Sequence, residues 1–216
     1  MGALSGKNAK IKITAITPTS STGEAFTKLS TGKYQITDIT KRHWDRNTTG
    51  LPTVYVNTTA RTAGEYTLDP VNGIIQFSPT SLTTGAVPVT ADIHYRAASY
   101  LGQANRWTVE METDVQDVTS FATSTGTKTW RDFQPNLTQG TVTIDRFWKS
   151  SSTGPEWYDR INLNSDLVVD LYAREYDHWR AYGWIESNTL ETPIDDPVTD
   201  SVTIRLDGPL YYTTSS

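Results

Sequence analysis

Three histidines, 24 carboxylates and no cysteine limit the chemistry open to this chain. Without Cys there is no disulfide scaffold, no thiolate metal site and no cysteine nucleophile. His43, His94 and His178 each stand alone in their stretch, whereas a zinc hydrolase needs two His one helical turn apart. His178 lies in Asp177-His178-Trp179, which predicts a solvated turn between strands. Gly2-Ala3-Leu4-Ser5-Gly6-Lys7 has the residue types of a phosphate loop, but its glycines are too close together and Asn8 follows the lysine. No Gly-x-Ser-x-Gly elbow supplies a serine nucleophile. One carboxylate row remains. Glu110, Glu112 and Asp114 alternate along one strand, about 6–7 Å from one to the next. That spacing suits a glycosidase pair, yet a solvated strand face explains it more simply. Asp195-Asp196, before Pro197, reads as a turn. The expectation is no enzyme, no metal and no cofactor.

Elements must position whatever the chain uses. Trp, Tyr and Phe reach 11% and Thr makes up one residue in six, an enrichment that favours pleated, half-buried surfaces. Gly, Pro, Asn and Ser recur at short intervals, as in an all-β fold. Alternation predicts strands at 9–16, 34–39, 53–57, 87–95, 106–115, 139–148, 166–174, 181–188 and 200–206. The stretch Thr17–Thr31, rich in Ser, Thr and Gly, is expected to be a loose loop that orders on assembly. Tyr66 and Leu68 enter the turn Asp69-Pro70-Val71-Asn72-Gly73, and Ile75 and Phe77 leave it, which predicts a hairpin. Gly154-Pro155 followed by Glu156-Trp157-Tyr158-Asp159-Arg160-Ile161 predicts the one short helix. The first strand has no obvious sheet of its own and is expected to pair with the C-terminal half. Residues 1–40 and 96–216 then form a β core, with 41–95 an inserted β section.

Charge and hydropathy narrow the partners. At 216 residues and a net charge of −5, the chain lacks the basic surface that grips DNA or anionic lipid. No run of about 18 apolar residues predicts a membrane span, and no apolar leader predicts secretion. The seven tryptophans suit core and interface anchoring better than sugar stacking.

The C-terminal half resembles the major tail tube proteins of long-tailed, siphovirus-type bacteriophages. The likeness runs from Trp130-Arg131-Asp132-Phe133 through Gly140-Thr141-Val142-Thr143-Ile144, the helix around Trp157-Tyr158 and Leu167-Val168-Val169-Asp170-Leu171-Tyr172. It continues with Tyr182-Gly183-Trp184-Ile185-Glu186-Ser187, Thr192-Pro193-Ile194-Asp195-Asp196-Pro197-Val198, Val202-Thr203-Ile204 and Asp207-Gly208-Pro209-Leu210. The N-terminal excursion departs from the compact form of that family, so a distal-tail or tail-terminator ring protein is a close alternative.

The resemblance implies a tail-tube-type β-sandwich or partial barrel, mainly β, with one short flanking α-helix and an inserted β-hairpin region. It implies a non-enzymatic virion protein whose copies, six to a ring, stack into a tube for genome ejection. The implied partners are other copies of itself and the tape-measure, distal tail and tail-terminator proteins. DNA would pass without specific binding. The implied location is the virion tail, assembled in the host cytoplasm. On this expectation Glu110, Glu112 and Asp114 face the lumen, where carboxylates repel phosphate. The rival reading is a carbohydrate-binding β-sandwich module that recognises a receptor or decorates a particle.

Overall fold

A chain so rich in Thr and aromatics, punctuated so often by turns, fills with strands. The computed structural model describes residues 10–46, 52–83, 87–101, 104–117, 133–147, 156–173 and 177–214. The N-terminal strands are β1 (Lys10–Thr14), β2 (Thr19–Ser30), β3 (Lys33–Ile36), β4 (Thr53–Val56) and β5 (Thr59–Ala60). Next come β6 (Tyr66–Asp69), β7 (Ile74–Phe77), β8 (Val89–Tyr95) and β9 (Ala98–Tyr100). The long strands β10 (Ala104–Asp117) and β11 (Phe133–Phe147) precede α1 (Glu156–Asn162). The chain closes with β12 (Asp166–Tyr172), β13 (His178–Glu191), β14 (Thr199–Leu206) and β15 (Tyr211–Thr213). The fold is mainly β, with one short α-helix among the described residues.

The strands form two antiparallel sheets. One runs β10-β11-β14-β13-β12-β1-β9, with β15 continuing the line of β14 beside β13. The other runs β5-β4-β8-β2-β3-β7-β6. In the first, β1 lies between β12 and β9, so the N-terminus completes a sheet built from the C-terminal half. Its apolar face buries Ile11, Ile13, Val142, Ile144, Val169 and Ile204. Helix α1 covers that face through Trp157, which is fully buried. The second sheet closes its own core around Tyr34, Trp44, Val54, Phe77 and Ile93.

Two expectations need correction. The stretch expected to be a loose loop is the twelve-residue strand β2. Its Thr19–Ala25 half bonds to β8, and its Phe26–Ser30 half bonds to β3. Backbone pairing on alternate sides orders it, and most of its side chains stay exposed. Apolar patterning is therefore nearly absent from it. Because β2 and β3 belong to the second sheet, the excursion begins after β1 rather than at Lys41.

The predicted hairpin is β6–β7, in register from Tyr66↔Phe77 to Asp69↔Ile74. Asp69 Oδ1 accepts from the Asn72 amide at 3.2 Å, and Gly73 supplies the left-handed backbone at φ +64°. A Cβ at Gly73 would also lie 2.8 Å from Ile36 Cγ2. Gly73→Ala is expected to lower stability by about 1–2 kcal/mol from the backbone alone, readable in a denaturant melt.

Candidate functional site

The acidic row lies on the most exposed part of the first sheet. Strand β14 covers β11 only from Thr141 to Phe147, so the partners before Thr141 project as a two-stranded arm. Glu110 pairs with Thr141 at the root of this arm and Glu112 with Gln139 further out. Gln139 Nε2 donates to Glu112 at 3.1 Å, and Arg205 donates to Gln139 at 3.3 Å and to Glu186 at 3.2 Å. These groups are solvated and the bonds contribute little stability. The three carboxylates line a strand rather than converge on a pocket.

Register assigns that row to a face. Glu110↔Thr141↔Arg205↔Trp184↔Asp166 form one line across the sheet, and directly opposed residues share a face. Lys12↔Asp170↔Arg180 form a parallel line on the same face. The second sheet docks on this face, over Asp166, Asp170 and Arg180. Glu110, Glu112 and Asp114 therefore look out on the side that carries the second sheet.

The docking contacts are charged and buried. Arg96, just after β8, reaches Asp45 at 2.6 Å and Asp166 at 2.8 Å. It also donates to the Asp166 carbonyl at 2.9 Å and to Ser165 Oγ at 3.1 Å. Tyr182 Oη donates to the Asp166 carboxylate, whose value burial raises even though Arg96 opposes the shift. Beside this cluster, Arg180 grips Asp170 with two bonds, at 2.7 and 3.0 Å. His43 Nε2 lies 3.7 Å from Asp170, and its Nδ1 donates to the Val71 carbonyl at 3.0 Å. Burial alone would raise the Asp170 carboxyl; the His43 bond and the Arg180 fork instead hold it well below the usual carboxylate range. Val71, Val168 and Tyr182 add a small apolar seam.

This joint revises the histidine expectation. His178 is not a solvated turn residue. It opens β13, is buried, and stacks on Tyr172 at 4.7 Å between centroids. Its Nε2 lies 3.4 Å from Arg180. His43 and His178, remote in sequence, thus meet around one arginine–carboxylate pair. Among the described residues no His, Asp and Glu cluster could hold a metal ion, and no helix is long and apolar enough to cross a membrane.

A groove of about 670 Å³ opens beside the joint, lined by Arg46, Tyr66, Leu68, Pro70, Tyr182 and Tyr211 among others. Arg46 lies 4.0 Å from the Tyr182 ring and 3.4 Å from Asp207. The lining offers apolar contact and scattered charge, with no histidine or paired nucleophile and base. Among the described residues the half-buried tryptophans are tilted against their aromatic neighbours rather than coplanar. Trp107, Trp179 and Tyr212 make a chain of contacts tilted by 58° and 38°, while Trp44 and Trp157 are buried. Trp130 and Trp148 lie outside the described residues.

No family model and no curated protein matches the chain. Similar solved structures include a chain from the virion of a native gene transfer agent particle. It is 11% identical with TM-score 0.46, over 54% of this chain and 89% of that one. A chain from the tail of an empty gene transfer agent particle with C6 symmetry is also 11% identical. Its TM-score is 0.47, over 55% of this chain and 87% of the other.

Proposed function

We propose that the chain is a non-enzymatic structural subunit of a bacteriophage tail, whose copies close into rings that stack as a conduit for genome delivery. One observation carries this reading. Among the described residues the fourteen-residue strand β10 pairs with β11 alone, and together they project beyond the sheet. A strand with one free edge is a template for another chain, and a ring is a way to satisfy every such edge. The sequence resemblance to tail tube proteins supports the same reading. A formal charge of −5 per subunit, repeated around a ring, would keep phosphate from adhering to the conduit. The partners are then other copies, with tape-measure, distal tail and tail-terminator proteins at the ends. The site of action is the virion tail, assembled in the host cytoplasm.

Negative-stain electron microscopy of the purified protein, at rising concentration, is expected to show rings or tubes with a central hole. A monomer at every concentration, together with binding on a glycan array, would replace this reading with the carbohydrate-binding one.

A further inference from the structure

The two edges of the eight-stranded sheet differ in length, covering and charge. At one edge no described element covers the β10–β11 arm, and Met111, Val115 and Leu137 are 48%, 55% and 72% exposed. Its other face carries Glu110, Glu112 and Asp114. At the opposite edge β9 is three residues long and spans only Lys12–Thr14 of β1. Lys10 therefore extends past the end of β9. Lys10 and Lys12 point to the acid-bearing face, 5.5 and 4.6 Å from the ring of Tyr100, which is 58% exposed. Among the described residues neither lysine has a carboxylate partner.

We propose that the β10–β11 arm docks on a second copy of this chain, setting its acidic row against Lys10, Lys12 and Tyr100 at the far edge of the neighbour's sheet. The inference rests on the self-assembly reading and names the contact that would close a ring laterally.

Three features select this occupant. Residues two apart on a strand are separated by about 7 Å, so the Lys10–Lys12 step matches the Glu110–Glu112 or Glu112–Asp114 step. The two patches lie on one face but at opposite edges, so no chain can join its own. The contact must run head to tail, which generates a ring or a filament rather than a two-fold dimer. The acids also discriminate among partners. Two arms brought edge to edge would oppose like charges, whereas an arm meeting the lysine edge would not. A lumenal place for the row fits less well, because the second sheet sits on the same face and would project into the bore.

Charge reversal tests this by sedimentation velocity in low and high salt. The wild type is expected to associate in low salt and to weaken as salt rises. Glu110→Lys with Glu112→Lys and Asp114→Lys should weaken association by about tenfold or more, and so should Lys10→Glu with Lys12→Glu on the other edge. Combining all five substitutions should restore association. Every substituted side chain except Lys12 is exposed. If the wild type associates and the triple variant assembles equally well, the docking edge is wrong while the self-assembly reading stands. Intact assembly with slowed genome ejection would put the row in the lumen and overturn the docking edge in the same way. A wild type that stays monomeric under all conditions overturns both.

Discussion

Asp170→Asn is expected to lower stability by about 3–5 kcal/mol at neutral pH, because it strips the charge from a buried pair while leaving the cation in place. Asn fills nearly the same volume, so packing barely changes. Arg180, 8% exposed, would keep only the Asn72 Oδ1 contact at 3.4 Å and its approach to His178 among its described polar contacts. For a chain of this length the loss corresponds to a melting point lower by roughly 10 °C. The pH profile separates this charge effect from a general packing defect. Asp170 is held below its unfolded value, so the unfolded chain takes up the proton first as pH falls. Its stabilisation is complete above about pH 4 and is lost below that. Asp166 has the opposite sign. Its folded value is raised, so the folded chain binds the proton first, and stability gains slightly as pH falls toward the carboxylate range. The wild type should therefore melt highest on the mildly acidic side and then lose stability steeply below pH 4. The variant should lack most of that steep acid limb. Thermal unfolding across pH checks it, and a variant within about 0.5 kcal/mol of wild type at neutral pH would mean that the pair is not buried as described.

What could be read from sequence follows from how far each signal reaches. β10 and β11 declared themselves through alternation, and Asp69-Pro70-Val71-Asn72-Gly73 through turn chemistry, because both signals are local. Helix α1 was legible for the same reason, from Pro155 and the acid beside it. Strand β2 was not, since its order comes from pairing with β8 and β3 rather than from a buried face. The joint was hidden by distance: Asp170 meets His43 from the other sheet, and Asp166 meets Arg96. One signal did exist. The segment Asp-Leu-Val-Val-Asp-Leu-Tyr is buried at nearly every position, which marks a strand covered on both faces. Its two Asp share the face opposite Leu167, Val169 and Leu171, and a buried carboxylate requires a cation. The positions of Asp166 and Asp170 thus announced a charged cover without naming Arg96, Arg180 or His43. The acidic row at 110–114 shows the converse limit. Its alternation was plain, but which face it looked out from depended on pairings that run across five strands.

Arg96→Met should uncouple the two sheets rather than simply weaken both. Arg96 bridges Asp45 on the second-sheet side and Asp166 on the first, so its loss leaves both carboxylates, each under 10% exposed, without that cation. Removing one member of a buried network of this kind costs about 3–5 kcal/mol. The damage should concentrate where the network is the main tie. The first sheet keeps its own apolar core and the cover of Trp157, whereas the second keeps its core and the His43 and Val71 contacts but loses the Arg96 tie. Hydrogen exchange is the suitable readout. Amides of Val89–Ile93 are expected to exchange faster by a larger factor than those of Val142–Ile144, and equal acceleration would show that the sheets unfold as one unit. Acid should partly rescue this variant, unlike Asp170→Asn. With Arg96 gone, burial pushes Asp166 higher still, so the folded state gains a proton as pH falls and its stability rises through that window. The two variants thus bend the pH profile in opposite directions, one by removing a carboxylate from a buried cation and the other by removing the cation that Asp45 and Asp166 share. An Arg96→Met chain that still self-associates, but with a loosened second sheet, would assign that association to the first sheet.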